Sequence, residues 1–119
     1  MCGFAGYIGL KKTKPSTHQL DKSLKILFRR GPDSKGKKLH TLNNKIINLI
    51  HTRLSIIDLQ EKSNQPLEDE HGTIIFNGMI YNYLELKDLL KKRGVKFNTN
   101  SDTEVLLKML NVFGTSSLN

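Results

Sequence analysis

The chain has 119 residues, and its 19 Lys and Arg against 11 Asp and Glu give a net charge of +8 at pH 7. That length suits one domain, and 37% hydrophobic with 25% charged residues is typical of a globular protein rather than a disordered one. The apolar runs are far shorter than the roughly 20 residues of a membrane-spanning helix, and the N-terminus lacks the pattern of a secretory signal. We therefore expect a cytoplasmic protein without a membrane partner.

The basic charge makes a nucleic-acid-binding module one function class to consider. Basic residues cluster only in short groups, at 11–14, 35–38 and 91–93, and aromatic side chains do not alternate with them as a base-stacking surface requires. Solvated lysine faces explain this pattern more simply. We do not expect nucleic acid to be the main partner, and a small basic binding module stays an alternative.

The first half of the chain predicts one helix among several strands. Apolar residues from Gln19 onward recur with helical spacing, and the Arg-Gly-Pro-Asp turn at 30–33 ends this helix, since proline cannot continue it. Short runs with alternating side-chain size or with β-branched residues predict strands. These predicted strands are residues 4–9, 45–50 and 54–59.

The second half predicts a short strand followed by two helices. A polar loop at 61–72 leads to a buried strand at 73–76, which runs into the turn-forming pair Asn77-Gly78. Each helix is predicted to begin at a capping box and to end at a glycine. The boundaries are Asn82 with Gly94, and Ser101 with Gly114. Helices that lie outside the strand pairs predict an α+β fold, a sheet covered by helices.

Cys2 is the only cysteine, so an internal disulfide and a Cys-rich zinc site are excluded. Its small size permits removal of Met1, which would make Cys2 the N-terminal residue. It would then combine a thiolate nucleophile with an α-amine whose pKa of about 8 suits a base. A buried cysteine with a packing role is the alternative. The 4 histidines lack the spacing of a metal site, so no metal is expected, and for His51 we expect a structural hydrogen bond.

Several motifs occur in a fixed order along the chain. They are Met-Cys-Gly at 1–3, Arg-Gly-Pro-Asp at 30–33, His-Thr-Arg-Leu-Ser-Ile-Ile-Asp-Leu at 51–59, Gln-Pro at 65–66, Phe-Asn-Gly-x-Ile-Tyr-Asn-Tyr at 76–83 and Ser-Asp-Thr-Glu at 101–104. Together they resemble the glutaminase domain of glutamine-hydrolysing asparagine synthetases, which are class II glutamine amidotransferases of the N-terminal-nucleophile (Ntn) hydrolase type. The resemblance covers essentially the whole chain.

The resemblance implies an Ntn-hydrolase-like αββα sandwich. Domains of this family are longer, so residues 1–119 are expected to form a partial class II glutamine amidotransferase domain whose C-terminal strands are missing. The chain also lacks the Ser-Gly-Gly-x-Asp-Ser loop of the family's ATP-dependent synthetase domain. We therefore expect that domain to be absent and ATP and Mg not to be cofactors of this chain. A separately encoded synthetase domain would be a partner.

The implied reaction is hydrolysis of L-glutamine to glutamate and ammonia, which the full-length family passes to ATP-activated aspartate. Cys2 is the implied nucleophile, and the Asn77 side chain with the Gly78 N–H is the implied oxyanion hole. Arg53 would clamp the substrate carboxylate in a bidentate pair, and Asp102 would hold the substrate ammonium. The backbone of four further residues would line the pocket, namely Leu54, Ser55, Ile56 and Ile57.

One position departs from the family pattern. Met79 stands where Asn-Gly-Glu has a carboxylate that helps to hold the ammonium. The loss of one charge-assisted hydrogen bond costs about 1.5–3 kcal/mol, or about 10- to 150-fold in binding, so we expect a weakened glutaminase. An inactive fragment from a split gene or pseudogene is the alternative function. For Arg53 a structural ion pair, and for Asp102 stabilisation of a helix N-terminus, stay open as alternatives.

Overall fold

The computed structural model describes residues 2–118. Within this range the chain mixes helices and strands, which confirms the predicted α+β composition. The elements are β1 (Gly3–Leu10), α1 (Thr17–Leu27), β2 (Ser34–Leu42), β3 (Lys45–Arg53), β4 (Leu67–Glu68), β5 (Thr73–Ile74), α2 (Tyr83–Lys92) and α3 (Asp102–Phe113). The predicted helices and the first two predicted strands are therefore present.

The main sheet is antiparallel, with β3 in the centre between β1 and β2. The register places Gly3 opposite Thr52. Helix α1 packs against β3 on one face of this sheet, and Leu24 of α1 and Ile50 of β3 are both buried. The Thr52 hydroxyl donates to the carbonyl of Leu27 across 2.9 Å. These contacts fix the end of β3, where the candidate site begins.

The opposite face of the sheet carries the β4–β5 hairpin. The hairpin meets β2 through the pair of Thr73 Oγ1 and His40 Nε2, 2.9 Å apart, and through a salt bridge between Lys38 and Glu68. Farther along this face, the side chains of Phe4 and Ile8 are 49% and 73% exposed. The second sheet thus covers only the β2 side of the first.

Strand β2 was not predicted from the sequence. Its residues alternate between exposed and half-buried positions, and Lys35 and Lys37 point to solvent. A strand with few apolar residues lacks the hydrophobic alternation on which strand prediction depends. It forms because β3 provides a hydrogen-bonded partner along its whole length.

The predicted strand at 54–59 is wrong, because the structure has a loop there. Arg53 donates hydrogen bonds to the carbonyls of Ile57 and Asp58, which turns the chain back toward the end of β3. Asp58 has a φ of +53°, in the left-handed region that a strand does not use. Side-chain bonds to the backbone therefore replace a strand ladder in this segment.

The helix boundaries agree with the predictions more closely than the capping bonds do. Ser101 accepts a hydrogen bond from the N–H of Glu104 at the start of α3, as predicted, but the Glu104 carboxylate binds the N–H of Thr99 at 2.7 Å. Asn82 precedes α2 without a side-chain cap bond, so the predicted capping box there is wrong. Gly94, with φ +84°, follows the end of α2 as predicted.

Candidate active site

A cavity of about 360 Å³ brings together most of the residues predicted to act on glutamine. It lies where the ends of β1 and β3 meet the segment after β5 and the first turn of α3. Of the predicted residues, its lining contains Cys2, Arg53, Leu54, Ile56, Ile57, Asn77, Gly78, Met79 and Asp102. A larger trough of about 630 Å³ between α1 and β2 contains none of them, so size alone does not identify the site.

Cys2 is fixed by the main chain that follows β3. Its sulfur lies 3.4 Å from the backbone nitrogen of Leu54 and 3.7 Å from the carbonyl oxygen of the same residue. The Arg30 Nε–H donates to the Cys2 carbonyl across 3.0 Å. The thiol is half-buried and faces the cavity. The predicted removal of Met1 concerns a residue outside the described range.

Arg53 ends β3 and is 5% exposed. One terminal nitrogen donates to Gln60 O at 3.3 Å and to Asn64 Oδ1 at 3.0 Å. The other donates to Ile57 O at 2.9 Å and to Asp58 O. Because both terminal nitrogens are occupied by this loop, the predicted bidentate clamp on a substrate carboxylate is not available in this arrangement. The positive charge nevertheless lies in the cavity wall.

The same loop is held from its other side by Asp58. Its carboxylate accepts from the Ser63 hydroxyl at 2.7 Å and from the Asn100 N–H at 2.6 Å. Burial by itself raises the pKa of Asp58, but these hydrogen bonds and one from the Gln60 N–H outweigh it and lower the pKa. Asp58 thus stays ionised at neutral pH and joins the loop to the segment before α3.

Ser55 is the one predicted lining residue that does not face the cavity. Its backbone N–H donates to the Asp33 carboxylate across 2.7 Å. The Asp33 N–H in turn donates to the Arg53 carbonyl at 3.0 Å. The Arg-Gly-Pro-Asp turn therefore orients the chain just after β3, and the neighbours of Ser55 line the cavity in its place.

The Asn77-Gly78 pair lies in a segment without regular secondary structure. The predicted strand at 73–76 is only partly correct, since β5 ends at Ile74. A Cβ atom at Gly78 would lie 2.6 Å from the tip of the Phe76 ring, so a larger residue there would require this ring to move. Asn77 and Gly78 both line the cavity.

Asp102 is the first residue of α3 and is 7% exposed. Its Oδ2 accepts the N–H of Ile80 across 3.1 Å. A carboxylate in the first turn also stabilises the helix through the helix dipole. Asp102 therefore has a structural role and also lines the cavity, and its binding of a substrate ammonium stays a prediction.

Sequence reasoning missed five residues that line the cavity. They are Gln65, Phe76, Tyr81, Ser101 and Thr103. All five are members of the motifs that carry the family resemblance. Motif membership was the available signal, but it did not assign a role to Gln65.

His51 lies beneath the cavity and is fully buried. Burial lowers its pKa most strongly, the hydrogen bond to the Phe76 carbonyl opposes this, and the nearby Arg53 charge lowers the pKa further. The ring is therefore neutral at pH 7, and its Nε2–H donates to Phe76 O across 3.3 Å. This is the structural hydrogen bond that was expected for His51.

The described residues contain no group of three or more His, Cys, Asp or Glu arranged to hold a metal ion. Over the same range, no helix has the length and apolar character to cross a bilayer.

The chain is similar in sequence to several known proteins. The chain is 44% identical over 112 residues to asparagine synthetase [glutamine-hydrolyzing] 1 of Bacillus subtilis, covering 90% of this chain and 17% of that protein. It is 38% identical to putative asparagine synthetase [glutamine-hydrolyzing] 2 of Methanocaldococcus jannaschii, covering 96% of this chain and 24% of that protein. It is 30% identical to glutamine–fructose-6-phosphate aminotransferase [isomerizing] of Clostridium tetani, covering 95% and 22%.

The chain spans about a fifth of the length of these relatives. The model of the glutamine amidotransferase domain matches residues 1–119. This match covers the Cys2 end of β1 and all the cavity-lining segments. The chain therefore belongs to the glutamine amidotransferase domain family and is similar to the glutaminase part of asparagine synthetases.

Proposed function

We propose that this chain hydrolyses the side-chain amide of L-glutamine and releases ammonia. The observation that carries the proposal is the cavity of about 360 Å³ lined by Cys2, Asn77, Gly78 and Asp102. It combines a nucleophile, amide donors for an oxyanion and a carboxylate for an ammonium. Amide hydrolysis through a covalent intermediate needs these groups in one place.

In the proposed reaction the Cys2 α-amino group takes the thiol proton as the Cys2 sulfur attacks the side-chain carbonyl carbon of glutamine. The Asn77 amide and the Gly78 N–H stabilise the negative oxygen of the tetrahedral intermediate, where one lost donor costs about 2.7–4 kcal/mol. The C–N bond then breaks, the Cys2 α-amino group delivers a proton to the leaving ammonia, and a thioester remains. Water attacks the thioester, which gives glutamate and restores the thiol. The α-amino group is free only after removal of Met1.

The charged end of glutamine would lie between Asp102 and Arg53. Asp102 retains one carboxylate oxygen beyond the oxygen that binds the Ile80 N–H, and that oxygen would accept from the substrate ammonium. Arg53 would attract the substrate carboxylate by its charge, because its terminal nitrogens already serve Ile57, Asp58, Gln60 and Asn64. Met79 in the lining adds no acceptor for a charged hydrogen bond, so binding would be weak.

The proposal extends to the fold and the partner. The face of the main sheet that carries the exposed Phe4 and Ile8 would meet a second sheet in an Ntn-hydrolase-like αββα sandwich, of which residues 1–119 are a part. A separate synthetase domain would use the ammonia and would hold ATP and Mg. We place the reaction in the cytoplasm, where thiols such as Cys2 stay reduced.

The test is glutamate release from L-glutamine by the protein with Met1 removed, measured beside Cys2→Ala. We expect slow turnover that Cys2→Ala abolishes and that Met79→Glu increases. Absence of Cys2-dependent turnover in both the original chain and Met79→Glu would overturn the proposal in favour of an inactive fragment. Mass spectrometry of the N-terminus must accompany the assay, because a retained Met1 blocks the amine.

A further inference from the structure

The main chain of Phe76 is held by two side chains instead of by a neighbouring strand. Its N–H donates to the Gln65 Oε1 across 2.6 Å, and its carbonyl accepts from His51 Nε2 at 3.3 Å. Strand β5 has already ended at Ile74. The residue immediately before Asn77 therefore has both of its backbone polar groups bonded to side chains.

The Gln65 amide reaches a second part of the site with its other end. Its Nε2 donates to the Thr103 hydroxyl across 3.1 Å, and Thr103 follows Asp102 in the first turn of α3. Gln65 is 6% exposed, so water does not compete freely for either bond. One buried amide thus connects the Asn77-Gly78 segment to the helix that carries Asp102.

Gln65 is itself fixed against the main sheet. A Cβ atom at Gly36 would overlap the Gln65 carbonyl oxygen, so the backbone of Gln65 lies directly on β2 at a position that only glycine permits. In the sheet register Gly36 is opposite His51, and directly opposite residues share a face. Both partners of Phe76 are therefore anchored on neighbouring positions of one rigid sheet.

We propose that Gln65 is a positioning residue that fixes the Asn77-Gly78 oxyanion donors relative to Cys2 and Asp102. This inference rests on the proposed glutaminase function. Cys2 immediately precedes β1 of the main sheet, whereas Asn77 and Gly78 lie in an irregular segment that has no strand partner. The hydrogen bonds from Phe76 to Gln65 and from His51 to Phe76 hold the Asn77-Gly78 segment in a fixed position relative to the main sheet, and therefore relative to Cys2.

The expected consequence concerns the transition state rather than glutamine binding. Oxyanion donors act only when they lie about 2.7–3.1 Å from the developing negative oxygen, and a displacement of about 1 Å can cost about 100-fold in rate. Loss of the Gln65 bonds would release Phe76 and let the donors move. Loss of interactions that are made only in the transition state lowers kcat and leaves KM nearly unchanged.

The first experiment compares Gln65→Met with Gln19→Met and Gln65→Glu. Methionine matches the length of glutamine without its hydrogen bonds, whereas glutamate keeps an acceptor for the Phe76 N–H and a second for the Thr103 hydroxyl. Gln19→Met makes the same change at the capping box of α1, away from the cavity. We expect Gln65→Met to lower kcat at least tenfold with KM changed less than threefold, Gln65→Glu to recover part of kcat, and Gln19→Met to keep kcat. A kcat loss in Gln65→Met that Gln19→Met shares would overturn the proposal.

The second experiment does not depend on turnover. Amide hydrogen exchange by NMR is measured for Phe76, whose N–H donates to Gln65, in Gln65→Met and in the original chain, with Ile50 in β3 as the reference for global opening. We expect exchange of the Phe76 amide to accelerate at least tenfold while Ile50 changes little. Unchanged exchange at Phe76 would overturn the inference even in an active enzyme. If the original chain shows no turnover, the proposed glutaminase function is wrong. The exchange measurement then still decides, independently of activity, whether Gln65 orders the segment that contains Phe76.

Discussion

The guanidinium of Arg53 donates to the side-chain oxygen of Asn64 across 3.0 Å, which connects the end of β3 to the far end of the loop that follows it. Three loop carbonyls share the same guanidinium. Arg53 therefore organises the cavity wall that contains Leu54, Ile56 and Ile57. A residue that the motif assigned to substrate binding also forms part of the scaffold of the site.

Arg53→Lys should destabilise the fold. An ammonium cannot reach four acceptors that a planar guanidinium serves together, and each unsatisfied buried acceptor costs about 1–3 kcal/mol. We expect a loss of about 2–4 kcal/mol in the free energy of unfolding, measured by urea denaturation. Arg29→Lys, at an exposed position beyond α1, is the matched control. A loss below about 0.5 kcal/mol would contradict the scaffold role, since surface substitutions stay within that range.

Asp102→Asn should separate binding from stability. The asparagine oxygen can still accept the Ile80 N–H, so the fold loses only the charge–dipole contribution of about 0.3–1 kcal/mol. Attraction for the substrate ammonium is lost, and we expect the Kd for L-glutamine to rise about tenfold or more. Calorimetry on a Cys2→Ala background measures this Kd. Equal affinity in the two proteins would show that Asp102 acts only on the helix.

Met79→Glu should strengthen glutamine binding. Met79 is 42% exposed and lines the cavity, so a glutamate there can reach solvent when the site is empty. A second carboxylate near Asp102 adds a charge-assisted hydrogen bond to the ammonium, for which we expect about a tenfold lower Kd. Met79→Gln controls for side-chain shape without charge. An unchanged Kd in Met79→Glu would mean that this side chain does not approach the ammonium.

His51 should make stability depend on pH. The folded state lowers the pKa of His51 below the usual 6.5, so the unfolded chain binds the proton more readily. The stabilisation is complete above about pH 6.5 and is lost as the pH falls toward the folded-state pKa, with a slope of at most about 1.4 kcal/mol per pH unit. Urea denaturation at pH 7 and pH 5 measures it.

The control for this pH dependence is His51→Gln, which retains a donor for the Phe76 carbonyl and cannot titrate. His71→Gln, which removes an exposed histidine, is the matched substitution. If His51→Gln loses as much stability between pH 7 and pH 5 as the original chain does, another group is responsible. Asp58 contributes only at lower pH, because its pKa is lowered from 3.8.

The sequence predicted the segments of the site better than the bonds within them. Motifs assigned Cys2, Asn77 and Asp102, and all three line one cavity. Local patterns also located the helices, because apolar periodicity and the Ser101 cap act over a few residues. Strand β2 escaped prediction because its stability comes from pairing with β3, which is a long-range property.

The bonds that escaped prediction join residues far apart in the chain. The Gln65 bond to Phe76 spans 11 residues and its bond to Thr103 spans 38, so no local sequence pattern predicts either bond. The four bonds of Arg53 depend on the conformation of a loop that its own side chain creates. The motif predicted that Arg53 binds the substrate carboxylate. It could not show that the N–H groups of the guanidinium are already bonded to the loop at 57–64.

The most direct test of the central claim is detection of a covalent intermediate on Cys2. The protein with Met1 removed is mixed with L-glutamine, quenched with acid within a turnover, digested and analysed by mass spectrometry. We predict a γ-glutamyl thioester on the N-terminal peptide of the original chain and of Met79→Glu, and none in Cys2→Ala. The account would be contradicted if the Cys2 peptide were unmodified in both the original chain and Met79→Glu, and if glutamate release were either absent or unaffected by Cys2→Ala.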